Sequence, residues 1–241
     1  MENKDKIILD LCGGTGSWSK PYKDAGYDVR VLTLPDYDIR DWKNTWLGKY
    51  EASVYGVLAA PPCTMFSYAR TNAKKPRDLK EGMECVRACL EIIWSFMEVK
   101  QPTARKEIPL KFWALENPHH GFLKKFLGTP AFTFDPWEFG DGYQKRTALW
   151  GYFNEPKKNP IPLTDKMKKL AKTNSYLHRL EMGTSVLGNK LNENAPLRYK
   201  VKFDYMKSKD IHPEAFGKFD RQTRRSITPQ GFARAFFEAN P

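Results

Sequence analysis

A strand pattern and a helix pattern alternate along residues 1–151, and this alternation constrains the fold more than any other feature of the chain. Strand–helix alternation is satisfied by a mostly parallel sheet with helices on its faces, because parallel neighbours need a crossover between them. KIILDL (residues 6–11) predicts a strand running into a Gly-rich turn, then a helix ending near Gly26. DVRVLTL (28–34), YGVLAA (55–60, stopped by Pro61 and Pro62), KFWALE (111–116, stopped by Pro118) and TALWGYF (147–153) predict further strands. Met83, Val86, Leu90, Ile93 and Met97 recur at helical spacing, so residues 79–99 read as one amphipathic helix. After Phe153 the alternation dissolves into the basic, Pro-rich EPKKNPIPL; a helix fits residues 164–181 and the stretch to 225 reads as irregular. TPQGFARAFFEAN then predicts a closing helix with Phe232, Ala235 and Phe236 on one face.

Charge separates the same segments. Of a net +12, residues 152–225 carry +9, residues 1–151 carry +3 and residues 226–241 none. A surplus concentrated in one segment points to a polyanionic partner held there. No apolar run approaches the roughly 20 residues of a membrane span, and the polar start MENKDK lacks a signal core, so a cytoplasmic protein without membrane association is expected. The 4 cysteines form no disulfide framework and fit a reducing compartment.

Three segments place reactive groups where strands end. Asp10-Leu11-Cys12-Gly13-Gly14-Thr15-Gly16 lets backbone approach a ligand at a strand's carboxyl end, where open sheets bind cofactors; its glycines are closer together than in a dinucleotide fingerprint, which argues against a nicotinamide. Pro61-Pro62-Cys63 puts a thiol at the same edge, where nearby cations would favour the nucleophilic thiolate. Glu116-Asn117-Pro118 puts a carboxylate there, costly to bury unless paired or protonated, and Gln144-Lys145-Arg146 adds a guanidinium before the last strand. Each has a plain structural counterpart: a tight turn, a core cysteine, a helix cap by Asn117, a solvated basic turn.

Taken together and in order, DLCGGTGSW, PPCTMFS, ENP and QKRTALWG resemble the motifs of the cytosine-C5 methyltransferases, and ITPQGFAR (227–234) looks like that family's late L-T-P-R-E-x-A-R stretch. The resemblance implies a doubly wound α/β domain of the S-adenosylmethionine-dependent methyltransferase type over residues 1–151 and 226–241. It implies a short target-recognition or DNA-contact region over 152–225. It makes Cys63 the thiolate that adds to cytosine C6, Glu116 the group that binds and protonates the N3 side, and Arg146 the support of the ring oxygen. Asp10, Cys12, Gly13, Gly14, Thr15, Gly16, Asp36, Asp38, Ile39 and Pro62 would line the S-adenosylmethionine site. Ser67, Gln144, Lys145, Lys157, Lys158, Lys168, Lys169, Arg224 and Arg225 would meet nucleic acid. Cys12 stands where the family usually has Phe, Ala148 replaces the second arginine of its Q-x-R-x-R run, Asp36 is displaced relative to the family's ribose carboxylate, and no copy of its final Gly-Asn helix is present.

The implied activity is methylation of cytosine C5 in double-stranded DNA by a monomer, with the base flipped out of the stack. An RNA-directed cytosine-C5 enzyme and a non-catalytic nucleic-acid-binding relative are the alternatives. Cys85 and Cys89 lie four apart on the long helix without a zinc-like His pair, so core packing and no metal are expected. His119-His120 would lie near Cys63, a pairing that also occurs in hydrolases, but no orienting third residue accompanies it.

Overall fold

The computed structural model describes residues 2–49, 54–68, 73–98, 110–141, 145–160, 219, 223 and 226–241. The helix expected over 164–181 lies outside them. The chain divides into two compact units: Met1–Phe134 with Arg146–Lys157 and Ser226–Pro241, and Asp135–Lys145 with Lys158–Arg225.

The first unit is built on a six-stranded sheet: β1 (Ile7–Leu11), β2 (Asp28–Leu32), β3 (Gly56–Ala59), β4 (Phe112–Pro118), β5 (Phe132–Phe134) and β6 (Thr147–Tyr152), in the spatial order β2-β1-β3-β4-β6-β5. The first four strands are mutually parallel, in the register Leu11↔Leu32, Leu11↔Ala59 and Ala59↔Leu115. β6 runs antiparallel to both β4 and β5. This is a mixed α/β fold with a mostly parallel sheet, as the alternation of patterns requires.

Strand side chains alternate between faces, and helices cover both. Leu9, Leu11, Val57, Ala59, Leu115, Ala148 and Trp150 belong to one cluster with Val86, Cys89, Ile93 and Phe96 of the long helix α2 (Leu79–Met97). On the opposite face Phe112 stacks on Tyr22 of α1 (Lys20–Asp24) at 5.7 Å and meets Phe236 of the last helix at 5.9 Å. β1 and β3 are accordingly buried at every position, which is why both read as unbroken apolar runs apart from Asp10. The last helix, here α4 (Gln230–Ala239), returns to this unit. Trp18 packs against Phe232 and Phe236 at 5.9 and 5.4 Å, and Asn240 exchanges hydrogen bonds with Asn154.

Several elements differ from the sequence expectation. α2 buries Gly82, Val86, Cys89, Ile93 and Phe96, together with Ala88 and Ile92, whereas Met83 and Leu90 are half-buried and Met97 is exposed. α4 buries Ala233 rather than Ala235. β4 continues through Asn117 and Pro118, paired with Ala148 and Thr147, so Asn117 caps no helix. β2 ends at Leu32, two residues early, while α3 (Lys124–Leu127) and β5 carry no clear sequence signal. No helix among the described residues is long and apolar enough to cross a membrane.

Candidate functional site

The glycine turn leaves β1 in an unusual conformation. Cys12, Gly14 and Gly16 have φ of 56°, 55° and 69°, a left-handed run that glycine tolerates and Cys12 holds at a cost of about 1 kcal/mol or more. Cys12 N–H donates to the Leu32 carbonyl (2.7 Å), Gly16 N–H to the Gly13 carbonyl (2.9 Å) and Gly14 N–H to Thr33 Oγ1 (3.3 Å), so the turn is anchored to the end of β2. A Cβ at Gly14 would have nothing within 4 Å, and Gly14 and Thr15 are exposed, so the crest of the turn is open.

The base of the turn is closed. Asp10 is fully buried, and a Cβ at Gly13 would lie 2.4 Å from its carboxyl carbon. Asp10 Oδ2 accepts from Ser19 Oγ at 2.6 Å, while Oδ1 has no hydrogen-bond partner among the described residues. Burial pushes this carboxyl up to about 6, against the lowering effect of Ser19. The turn thus stands on an underused buried acceptor and opens above it, a cradle that suits a ligand approached by backbone. These features leave room for a ligand over Asp10 to Gly16.

The remaining members of the expected cofactor set are unevenly placed. Asp38 is held by Arg40, whose Nε lies 2.9 and 3.0 Å from its two carboxylate oxygens, and this hydrogen bonding keeps Asp38 below its ordinary value. Asp36 and Pro62 are exposed, and Ile39 is buried in the core. Thr33, absent from the sequence reading, contacts the turn directly; its only sequence signal is its place just beyond β2.

Cys63, Glu116 and Arg146 belong to the edge from which the glycine turn emerges. Ala60 N–H donates to the Leu11 carbonyl (2.9 Å), carrying β1–β3 pairing past the strand end, and Pro61-Pro62 then delivers Cys63, half-buried. Glu116 follows Leu115 on the neighbouring strand, one residue beyond the Ala59 pairing. Asn117 is fully buried and donates Nδ2–H to the Pro61 carbonyl at 3.0 Å, tying the approach to Cys63 to the residue after Glu116. Because β6 runs in reverse, its start lies at this edge. Arg146 O accepts from His119 N–H (3.0 Å) and Arg146 Nη2 donates to Thr133 Oγ1 at 2.8 Å. His119 is held below its ordinary value, first by burial and then by the positive charges of His120, Lys124 and Arg146, so at neutral pH its ring is uncharged.

A group of thiols backs the glycine turn. Cys89, fully buried on α2, shares a hydrogen bond with Cys12, and that contact together with burial raises its thiol well above the ordinary value. Cys85, half-buried one turn earlier, is pushed up to about 11 by burial and by Cys12. Cys89 lies in the core and Cys85 packs against it, the packing role expected for these two. No group of three or more His, Cys, Asp or Glu that could hold a metal ion is found among the described residues.

The expected nucleic-acid residues divide between the units. Ser67, half-buried, bridges to Gly121 in the first unit; Lys157, exposed, also belongs there. In the second unit Lys158 pairs with Glu138 at 3.0 Å and Lys145 is half-buried. Gln144, Lys168, Lys169, Arg224 and Arg225 lie outside the described residues. No family model matches the chain, and no curated protein is found to be similar to it.

Proposed function

We propose that this protein methylates C5 of cytosine in double-stranded DNA, using S-adenosylmethionine, through a covalent bond between Cys63 and C6. The observation that carries this reading is the convergence of the glycine turn, Cys63, Glu116 and Arg146 on one edge of the sheet, from the adjacent strands β1, β3, β4 and β6. The sequence resemblance supplies the chemistry and this juxtaposition supports it.

Asp10 to Gly16 would hold S-adenosylmethionine, which supplies an electrophilic methyl group when bound. Cytosine C5 is a poor nucleophile because the ring is aromatic. The Cys63 thiolate adds to C6, forming a C–S bond, while a proton from Glu116 at N3 neutralises the charge that addition would leave on the ring. C5 then has enamine character and accepts the methyl group. Loss of the C5 proton to a base expels the Cys63 thiolate, N3 returns its proton to the Glu116 carboxylate, and the neutral aromatic ring is restored. Arg146 supports the ring oxygen. A base stacked in a duplex hides C6, so the cytosine must be turned out at a cost of a few kcal/mol, which phosphate contacts from residues 152–225 offset.

Duplex DNA carrying 5-fluorocytosine tests the scheme, since fluorine cannot leave as a cation and the adduct persists after methyl transfer. Wild type should migrate with this DNA in denaturing electrophoresis. Cys63→Ser should not, a hydroxyl being far less ionised than a thiol near neutral pH. An adduct in Cys63→Ser, or methylation without any adduct, overturns the nucleophile assignment. Methyl transfer to transfer RNA and not to duplex DNA would reassign the substrate, and failure of both would leave a binding protein.

A further inference from the structure

Among the described residues the Cys63 segment is one turn that no helix continues. Phe66 N–H and Ser67 N–H both donate to the Cys63 carbonyl at 2.9 Å. One isolated turn fixes several dihedral angles for few hydrogen bonds and leaves its later carbonyls without partners, so it is not stable by itself. Its conformation is imposed from outside.

Two neighbours impose it. From the β4 side, Phe122 N–H donates to the Phe66 carbonyl (2.9 Å), Tyr68 N–H to the His120 carbonyl (3.3 Å), and Ser67 bridges to Gly121. From the α2 side, Arg77 donates Nη1–H to the Met65 carbonyl and Nη2–H to the Ser67 carbonyl (3.0 Å), and its guanidinium lies over the Phe122 ring at 4.7 Å. α2 comes this close because residue 82 is glycine: a Cβ there would lie 2.8 Å from Met65 Cβ and 3.0 Å from Phe66 Cζ. Arg77 therefore takes up two carbonyls of the nucleophile's turn while resting on the segment that follows Glu116.

We propose that Arg77 is a positioning residue that sets where the Cys63 thiol stands relative to Glu116, by capping the carbonyls of the Cys63 turn and stacking on Phe122. A planar fork places two donors at a fixed spacing and lays a flat face on a ring; a lysine offers its donors from one nitrogen and has no plane to stack. Arg77 acts through Cys63 and touches no substrate. Its effect on turnover rests on the proposed methyl transfer, whereas its effect on the thiol's accessibility does not.

The experiment uses the full chain and the variants Arg77→Lys and Arg77→Ala, with two readouts. In the first, modification of Cys63 by iodoacetamide is followed by peptide mass. Its rate should change by about tenfold or more in both variants, a displacement on the order of 1 Å being able to alter reactivity by ~100-fold. In the second, kcat for duplex DNA should fall by a similar factor while KM for DNA and the Kd for S-adenosylmethionine stay within about twofold, and added guanidinium ion should restore part of the activity in Arg77→Ala. Unchanged Cys63 modification in both variants overturns the proposal, as does a fall of kcat, affinity and Tm together that guanidinium does not relieve. Should Arg77→Ala not fold, Arg77→Lys decides the matter. A wild type inactive on cytosine would overturn the proposed function alone, since the iodoacetamide rates stand without it.

Discussion

At the scale of single residues, Asp10 is the group whose environment is most at odds with its chemistry. Its carboxyl has a pKa of about 6 in the folded chain, against an ordinary value of 3.8. At pH 3 and below the group is protonated folded or unfolded and contributes almost nothing. Between pH 4 and 6 the unfolded chain ionises first, so rising pH favours unfolding, and above pH 6 the full penalty, about 3 kcal/mol, is present. Urea unfolding should therefore show wild type losing about 3 kcal/mol more than Asp10→Asn between pH 3 and pH 7; parallel pH profiles would mean that Asp10 is not desolvated. That a carboxylate is kept at such a cost beneath an open turn supports a functional reason for it. Asp10 is legible in the sequence as part of the glycine motif, but its partners Ser19 and Gly13 are not, because only the fold reveals that Gly13 has no room for a side chain. Arg77 is equally invisible: a basic residue before a helix cap reads as solvated, and only the Cys63 turn gives it carbonyls to cap.

At the scale of elements, strands are legible where an apolar run meets a glycine or proline, as in β1, β3 and β4. FTF of β5 escapes notice because three residues carry too little pattern. The buried face of α2 is misleading for a different reason. Methionines and leucines flank the true stripe, and which stripe packs is settled by the partner, which needs Gly82 against Met65 and Phe66. In α4, Phe236 is fully buried among Trp18, Phe112, Phe153 and Phe232. Phe236→Ala should lower the unfolding free energy by about 3–5 kcal/mol, read as a lower urea midpoint, whereas Arg234→Ala on the exposed side of the same helix should change it by less than about 0.5 kcal/mol. Similar losses in both would mean that α4 does not seal this face.

At the scale of the whole molecule, the +9 of residues 152–225 in a total of +12 sets the expectation for binding. Replacing Lys157, Lys158, Lys168 and Lys169 by glutamine should weaken association with duplex DNA and flatten the dependence of log K on log salt, by roughly 0.9 for each phosphate no longer neutralised. Since Lys158 already pairs with Glu138, its share should be the smallest. An unchanged slope would remove these lysines from the interface. The sequence locates this charge but not its arrangement, because charge counting carries no geometry.

The seal made by α4 also sets an order of events during synthesis. Asn240 exchanges hydrogen bonds with Asn154 across 86 residues, and its carbonyl accepts from Tyr22, 218 residues earlier. At the ribosome's pace of roughly 5–20 residues per second, Phe112 waits for about 6–24 seconds and Trp18 and Tyr22 for about 10–40 seconds with nothing from α4 to cover them. The sheet can begin to form behind them, but its aromatic face stays wet until α4 arrives. A stop codon placed anywhere before Gln230 would thus release a chain with an uncovered sticky face, prone to aggregation and proteolysis, in place of a folded protein that has merely shed a tail.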